Sequence, residues 1–217
     1  MDARVHEALE RLYRQLQVGK NPSLEEILAF YLKQWKVMAK DTKIFRSDPK
    51  KLKDYCHRGA KYIRDYYLKY RPFQEGEILD LEVTDFMPLD EVGDHDYYIR
   101  IERLMGLGGG LYAIHDYKTE TILPTQTALD TDRQLGMYAL WVSQEYQDLK
   151  YARLVWHFLA LNQEMISYRT RSQLRQLQRH IQEQAAEIET ARDFPPVVSK
   201  LCDWCVFYSI CPMWQSH

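Results

Sequence analysis

Ile114-His115-Asp116-Tyr117-Lys118-Thr119 is the stretch on which the reading of this chain turns. Leu111 to Lys118 reads as a strand. Side chains alternate along a strand, so Asp116 and Lys118 are expected on the same face. A carboxylate beside an ammonium on one sheet face can hold a divalent cation and steer a water. The pair is common enough that it equally describes a solvated strand face, so the residues around it carry the decision.

Upstream, Tyr97 to Met105 reads as a second strand. Gly106 and Gly108-Gly109-Gly110 supply a hairpin turn between the two. A turn centred on Gly109 sets Glu102 directly opposite Asp116. Opposed residues on one face have Cβ atoms roughly 4.5–5.5 Å apart. Two carboxylates that close repel unless a cation sits between them, and oxygen ligands of this kind suit Mg²⁺ or Mn²⁺. The competing reading is a cross-strand salt network in which Arg100 or Arg103 answers Glu102.

Further out, residues 1–18 carry Val5, Leu9, Leu12 and Leu16 at helical spacing. Asn21-Pro22-Ser23 breaks that helix, and Ser23 with Glu26 forms a capping box for a second, running through Ile27, Phe30, Trp35 and Met38. Lys43 to Lys53 is basic, with Asp48-Pro49 as a turn and helix start. A third helix holds Tyr55, Tyr62, Ile63, Tyr66 and Tyr67 and ends before Pro72. Glu77 to Phe86 reads as a strand, Leu129 to Tyr146 as one helix, Tyr151 to Leu161 and Met165 to Arg169 as strands. Ser172 to Ala191 reads as a long amphipathic helix closed by Phe194-Pro195-Pro196. This order predicts an α/β fold with a mixed central sheet flanked by helices. A single domain over 1–217 is expected, with a helical part at 1–73, the sheet core at 74–170, and a long helix and cysteine segment at 171–217.

With 217 residues and a net charge of −2, global charge announces no nucleic-acid partner. Local basic patches exist: Lys50, Lys51 and Lys53; Arg169 and Arg171; Arg175 and Arg179. Phosphate contacts from such groups add salt-sensitive affinity without sequence preference. Tyr66, Tyr67 and Tyr70 either stack unpaired bases or, as their helical spacing favours, pack in the core. No segment is long and apolar enough to span a membrane and no signal peptide opens the chain, so the expected location is cytoplasmic. Three of the four cysteines crowd together as Cys202-x-x-Cys205 and Cys211, which reads as metal binding rather than disulfides.

Two further features complete the set. Gln134 and Tyr138 are four residues apart on the predicted helix and share a face. His6 lies one position from the apolar stripe of the first helix, where a lone histidine is usually structural.

Together these residues resemble the RecB-like branch of the PD-(D/E)XK nuclease superfamily, with its restriction-endonuclease-like core. Val5-His6-Glu7-Ala8-Leu9-Glu10 looks like that family's histidine helix and Ile101-Glu102-Arg103 like its I-D-R strand. Asp116-Tyr117-Lys118-Thr119 follows at the family's interval, and Gln134-Leu135-x-x-Tyr138 looks like its Q-x-x-x-Y helix. Ser199 to Pro212 looks like its iron–sulfur segment. The resemblance implies a metal-dependent DNA nuclease, an exonuclease on single-stranded or frayed ends in repair, recombination or CRISPR-type processing, with a helicase or repair partner protein. It implies Mg²⁺ or Mn²⁺ held by His6, Glu102, Asp116 and the carbonyl of Tyr117. Lys118 would act on the attacking water and on phosphate charge, with Gln134 and Tyr138 in support. Glu82 matches a recurrent glutamate of the first strand. The alternative is a catalytically weak DNA-binding or assembly module of a larger repair complex.

Two departures from the pattern stand out. The family usually places Asp where this chain has Glu102; the extra methylene moves a bound metal by about 1 Å unless the backbone compensates, a shift that can cost on the order of 10²-fold in rate. The family's first cluster cysteine stands upstream of the histidine helix, where this chain starts. That leaves Cys202, Cys205 and Cys211 for a 4Fe–4S cluster that normally takes four thiolates, with Cys56 a remote fourth, or for zinc.

Overall fold

The computed structural model describes residues 2–41, 49–89 and 96–214. Residues up to Ile181 form one compact unit, and those from Gln182 onward a second. The helices α1 (Asp2–Gln17), α2 (Leu24–Asp41) and α3 (Pro49–Tyr70) precede a sheet of β1 (Glu77–Pro88), β2 (Asp96–Gly108), β3 (Leu111–Lys118), β4 (Tyr151–Phe158) and β5 (Gln163–Thr170). Between β3 and β4 lie α4 (Gln126–Asp130) and α5 (Arg133–Glu145), and α6 (Arg171–Thr190) follows β5. The expected capping box forms: Ser23 N–H donates to Glu26 Oε2 at 2.7 Å, and Glu26 N–H to Ser23 Oγ at 3.2 Å. The third helix starts at Pro49, while Lys43 and Asp48 lie outside the described residues. Among the described residues no helix is long and apolar enough to cross a membrane.

The strands lie in the order β1-β2-β3-β4-β5. Every neighbouring pair is antiparallel except β3 and β4. A parallel pair needs a crossover, and α4 and α5 provide it. The mixed sheet is therefore as expected, and its architecture is restriction-endonuclease-like. The glycine turn behaves as its sequence requires. Gly109 and Gly110 both have positive φ, +62° and +83°, the conformation that a tight hairpin turn favours. The register runs from Gly106↔Tyr112 to Arg103↔His115, which is the register a turn at Gly109 predicts.

One expectation is corrected. Leu129 to Tyr146 is not one helix. Thr125 caps α4, and Asp132 caps α5 by accepting Leu135 N–H at 2.8 Å. The second cap restarts the chain in a new direction, because an N-cap residue leaves helical geometry.

Two apolar cores bracket the sheet. Ile114, Leu154 and Trp156 pack with Leu135, Leu140 and Leu174 from α5 and α6. Leu81 and Tyr117 pack with Val5, Leu9, Tyr31, Ile63 and Tyr66 from α1–α3. Tyr66 and Tyr67 are buried there, and Tyr67 donates to the carbonyl of Pro22. They are core residues, unable to stack on bases.

The helical side hides a charge. Arg103 is 1 % exposed. Its Nη2 lies 2.6 Å from His115 Nδ1 and 3.3 Å from His157 Nε2, and its guanidinium sits 3.8 Å from the Tyr13 ring centroid. His157 Nδ1 is 3.0 Å from the hydroxyl of Tyr70, which donates to Glu164 at 2.9 Å. His115 Nδ1 also lies 2.9 Å from His157 Nε2. The guanidinium only donates, so an unprotonated imidazole nitrogen accepts from it, and both histidines are neutral. Burial, and next the Arg103 charge, hold both well below their ordinary value.

Because their folded proton affinity is depressed, the unfolded chain binds protons that the folded one refuses as pH falls below about 6.5. Stability is therefore full above that pH and declines below it, each histidine contributing up to about 1.4 kcal/mol per pH unit. Urea unfolding from pH 7.5 to 5 should show this slope in the wild type and a shallower one in His157→Gln. His115→Phe, which strands the guanidinium, should destabilise the protein more than Arg103→Met, which removes it.

Candidate functional site

Strand alternation places Ile114 in the core beneath α5, and Tyr117 in the core beneath α1–α3. Asp116 and Lys118 follow Ile114. They meet as expected, with Lys118 Nζ 2.7 Å from Asp116 Oδ2. Lys118 also donates to Gln134 Oε1 at 3.4 Å, and Gln134 Nε2 donates to the Tyr138 hydroxyl at 3.3 Å. The Asp132 cap accounts for this reach, because it puts Gln134 in the first turn of α5, beside the end of β3.

Glu102 joins from β2. The β2–β3 ladder ends at Arg103↔His115, and one residue further the Glu102 side chain replaces it. Oε2 accepts Tyr117 N–H at 2.7 Å, and Oε1 lies 2.9 Å from His6 Nδ1 on α1. His6 is thus drawn to the site rather than buried as an isolated core histidine, and its ring meets Tyr117 edge-on at 5.9 Å. The cross-strand salt network is not what forms. Arg100 goes to Glu82 at 3.5 Å, and Arg103 to the two histidines.

Glu82 stands across from Glu102, between the partners Leu81↔Arg103 and Val83↔Ile101. Its φ is +52°, a conformation that a non-glycine residue adopts at a cost of about 1–3 kcal/mol and that clusters at functional sites. Leu81 and Val83 belong to opposite cores although they are two residues apart, so the strand switches face at Glu82. Burial, then the charges of Glu102 and Glu10, raise the proton affinity of Glu82.

The same forces act harder on Asp116, which is 7 % exposed. Burial and then the Glu102 charge push its carboxyl up to about 7, against the pull of Lys118 and His6. Burial disfavours the Lys118 ammonium, but the neighbouring Asp116 outweighs it and the affinity for a proton rises. This is a pair of facing carboxylates short of positive charge, a donor set that suits a hard divalent cation. Among the described residues, however, no three His, Cys, Asp or Glu side chains are gathered into a ready-made metal shell.

That statement covers the cysteines too. Cys202 and Cys211 flank or lie in two short 3₁₀ turns, Lys200–Trp204 and Tyr208–Ile210. Ser199 N–H points to Cys202 Sγ at 3.4 Å, and Cys205 N–H donates to the Cys202 carbonyl. Cys56 sits in α3, where burial raises its thiol and so opposes the thiolate a metal would need.

Two basic residues expected on phosphate are occupied elsewhere. Arg169 is buried and donates to Ser167 and to the carbonyl of Leu129. Arg171 donates to the carbonyls of Leu149 and Gln147 after α5. Lys50, Lys51, Lys53, Arg175 and Arg179 are exposed. Sequence reasoning missed the Arg103–His115–His157 cluster; its signal was polar residues at inward positions of otherwise apolar strands.

The mixed sheet with helices on its faces, carrying Asp116-x-Lys118 at the end of β3, is a restriction-endonuclease-like α/β fold. The chain belongs to the PD-(D/E)XK nuclease superfamily, whose family model matches residues 3–212. Members of this superfamily typically use Mg²⁺ or Mn²⁺. No curated protein matches the chain.

The raised proton affinity of Asp116 has a stability consequence. Its folded state holds the proton more tightly than its unfolded state, so ionisation between about pH 4 and about 7 weakens the fold. In metal-free protein, Asp116→Asn should therefore be more stable than wild type at pH 8, by at least about 1 kcal/mol. The difference should vanish near pH 4, as read by thermal unfolding at both pH values.

Proposed function

We propose that this chain is a Mg²⁺- or Mn²⁺-dependent deoxyribonuclease of the RecB-like branch, an exonuclease acting on single-stranded or frayed DNA ends. The observation that carries the reading is the buried Asp116, ion-paired to Lys118 and facing Glu102, with His6 bound to the same glutamate. His6, Glu102, Asp116 and the Tyr117 carbonyl would hold the cation, which when bound supplies Lewis acidity and an activated water. Lys118 orients the attacking water and stabilises charge developing on the phosphate. Gln134 aims Lys118, and Tyr138 holds Gln134. Glu82 acts through Glu102. Exposed Lys50, Lys53, Arg175 and Arg179 offer sequence-independent phosphate contacts.

The resemblance of its motifs to the RecB-like branch supports a role in repair, recombination or CRISPR-type DNA processing in the cytoplasm with a helicase or repair partner. The spacing of Cys202, Cys205 and Cys211 supports a structural thiolate site for a 4Fe–4S cluster or zinc. Brown protein with broad visible absorbance supports the cluster, zinc by elemental analysis replaces it, and neither metal rejects both.

A second reading, a catalytically weak DNA-binding module, is favoured by one observation: Glu102 and Asp116 already hold Tyr117 N–H and Lys118 rather than a gathered ligand set. End-labelled single- and double-stranded DNA with Mn²⁺ separates the two. Asp116→Ala and Lys118→Ala should each lower cleavage at least about 10²-fold, and Glu102→Asp about tenfold or more, because the shorter side chain releases Tyr117 N–H or the cation. Equal, negligible product from wild type and both alanine variants leaves only the binding module.

A further inference from the structure

A cleft of about 370 Å³ opens beside Lys118, within the size range of small-molecule sites, about 300–1,000 Å³. Ile122, Leu123 and Pro124, from the loop that follows Lys118, form its apolar wall, and beneath it Trp156 and Phe158 of β4 are buried in the core. Ile122 is 80 % exposed, an apolar side chain held in solvent four residues from the candidate lysine. Glu120 and Asp132 also line the cleft, and Lys118 is the cation among its lining residues. Arg169 and Arg171 donate to backbone carbonyls, and Arg169 and Arg171 are not among the residues that line the cleft.

This distribution selects its occupant. A phosphate entering the cleft would meet two carboxylates, so phosphate belongs at the Lys118 end alone. A neutral, flat, mostly apolar group attached to that phosphate suits the rest. Its ring would lie against the exposed Ile122 and the half-buried Leu123, and its N–H edge would face carboxylate acceptors. We propose that the cleft receives one unpaired nucleobase of the strand whose phosphate lies at Lys118. The proposal rests on the nuclease reading and deepens it: the substrate is a strand with at least one base out of its duplex partner at the cleavage point. Base stacking on protein side chains is sequence-tolerant, so the cleft selects unpaired over paired structure rather than a sequence.

An abasic scan tests it. A labelled single strand carries one abasic site at each position in turn around the cut phosphate, and both cleavage with Mn²⁺ and binding by anisotropy with Ca²⁺ are measured. One position should lose about tenfold or more in both readouts, and its neighbours little. Ile122→Asp should bring the unmodified strand close to the abasic level. A scan flat within about twofold overturns the proposal. If the unmodified strand binds but is never cut, the nuclease reading fails while the binding scan still decides the cleft. If it does not bind, both fall.

Discussion

The guanidinium of Arg103 is the constraint on which the candidate site depends. It is buried and charged, and its nearest acceptors are two neutral imidazoles rather than a carboxylate. An arginine cannot shed its proton to relieve this, so the surrounding groups must stay where they are. Arg103 lies on β2, His115 on β3, His157 on β4, Tyr13 on α1 and Tyr70 on α3. One charge therefore ties three strands to two helices. Side chains alternate along β3, so holding His115 on the α1–α3 side turns Asp116 to the other face, while Glu102, next to Arg103 in β2, reaches His6 on α1. The α1 anchor matters equally, because Tyr13 under the guanidinium and His6 at Glu102 belong to the same helix.

Much of this was legible in the chain, for physical reasons. Asp116 and Lys118 share a face because strand periodicity is two, and the glycine turn set the β2–β3 register. The His6 contact could be reached only through resemblance, since a histidine beside an apolar stripe looks the same whether it packs or binds. Other features were hidden by ordinary priors. Arg103, Arg169 and Arg171 read as surface cations or salt-bridge partners, because burial of an unpaired arginine is rare. Their acceptors are imidazoles and loop carbonyls, which no spacing rule reveals. The division of Leu129–Tyr146 into α4 and α5 was signalled by Asp132, yet an apolar run at helical spacing masked the cap. The positive φ of Glu82 carries no signal in composition at all.

Glu102 is where sequence and geometry bear most closely on each other. A glutamate at a position usually held by aspartate reads as a misfit. Here the β2–β3 ladder stops at Arg103↔His115, and the strands need something to complete the pairing of Tyr117 N–H. The longer side chain reaches across and supplies it while still meeting His6. Across from it, β1 adopts a left-handed residue at Glu82 and changes face. Backbone and side chain thus depart from a simple strand together at Glu82 and Glu102.

The electrostatics follow from that accommodation. Burial, and then the nearby charge of Glu102, raise the proton affinity of Glu82 and Asp116, while Arg103 bonds the two imidazoles and not these carboxylates. Lys118 is the cation left to Asp116, and it does not suffice: the Asp116 carboxyl still rises to about 7. A site that binds a proton this readily at neutral pH is one in which a second positive charge is favourable. A divalent cation would answer that deficit better than a proton, because its double charge would offset Glu102 and Asp116 together. Because Arg103 bonds His115 and His157 rather than a carboxylate, the deficit is preserved. Had Arg103 faced Glu102 directly, the fold would have gained an ion pair and lost the reason for a metal.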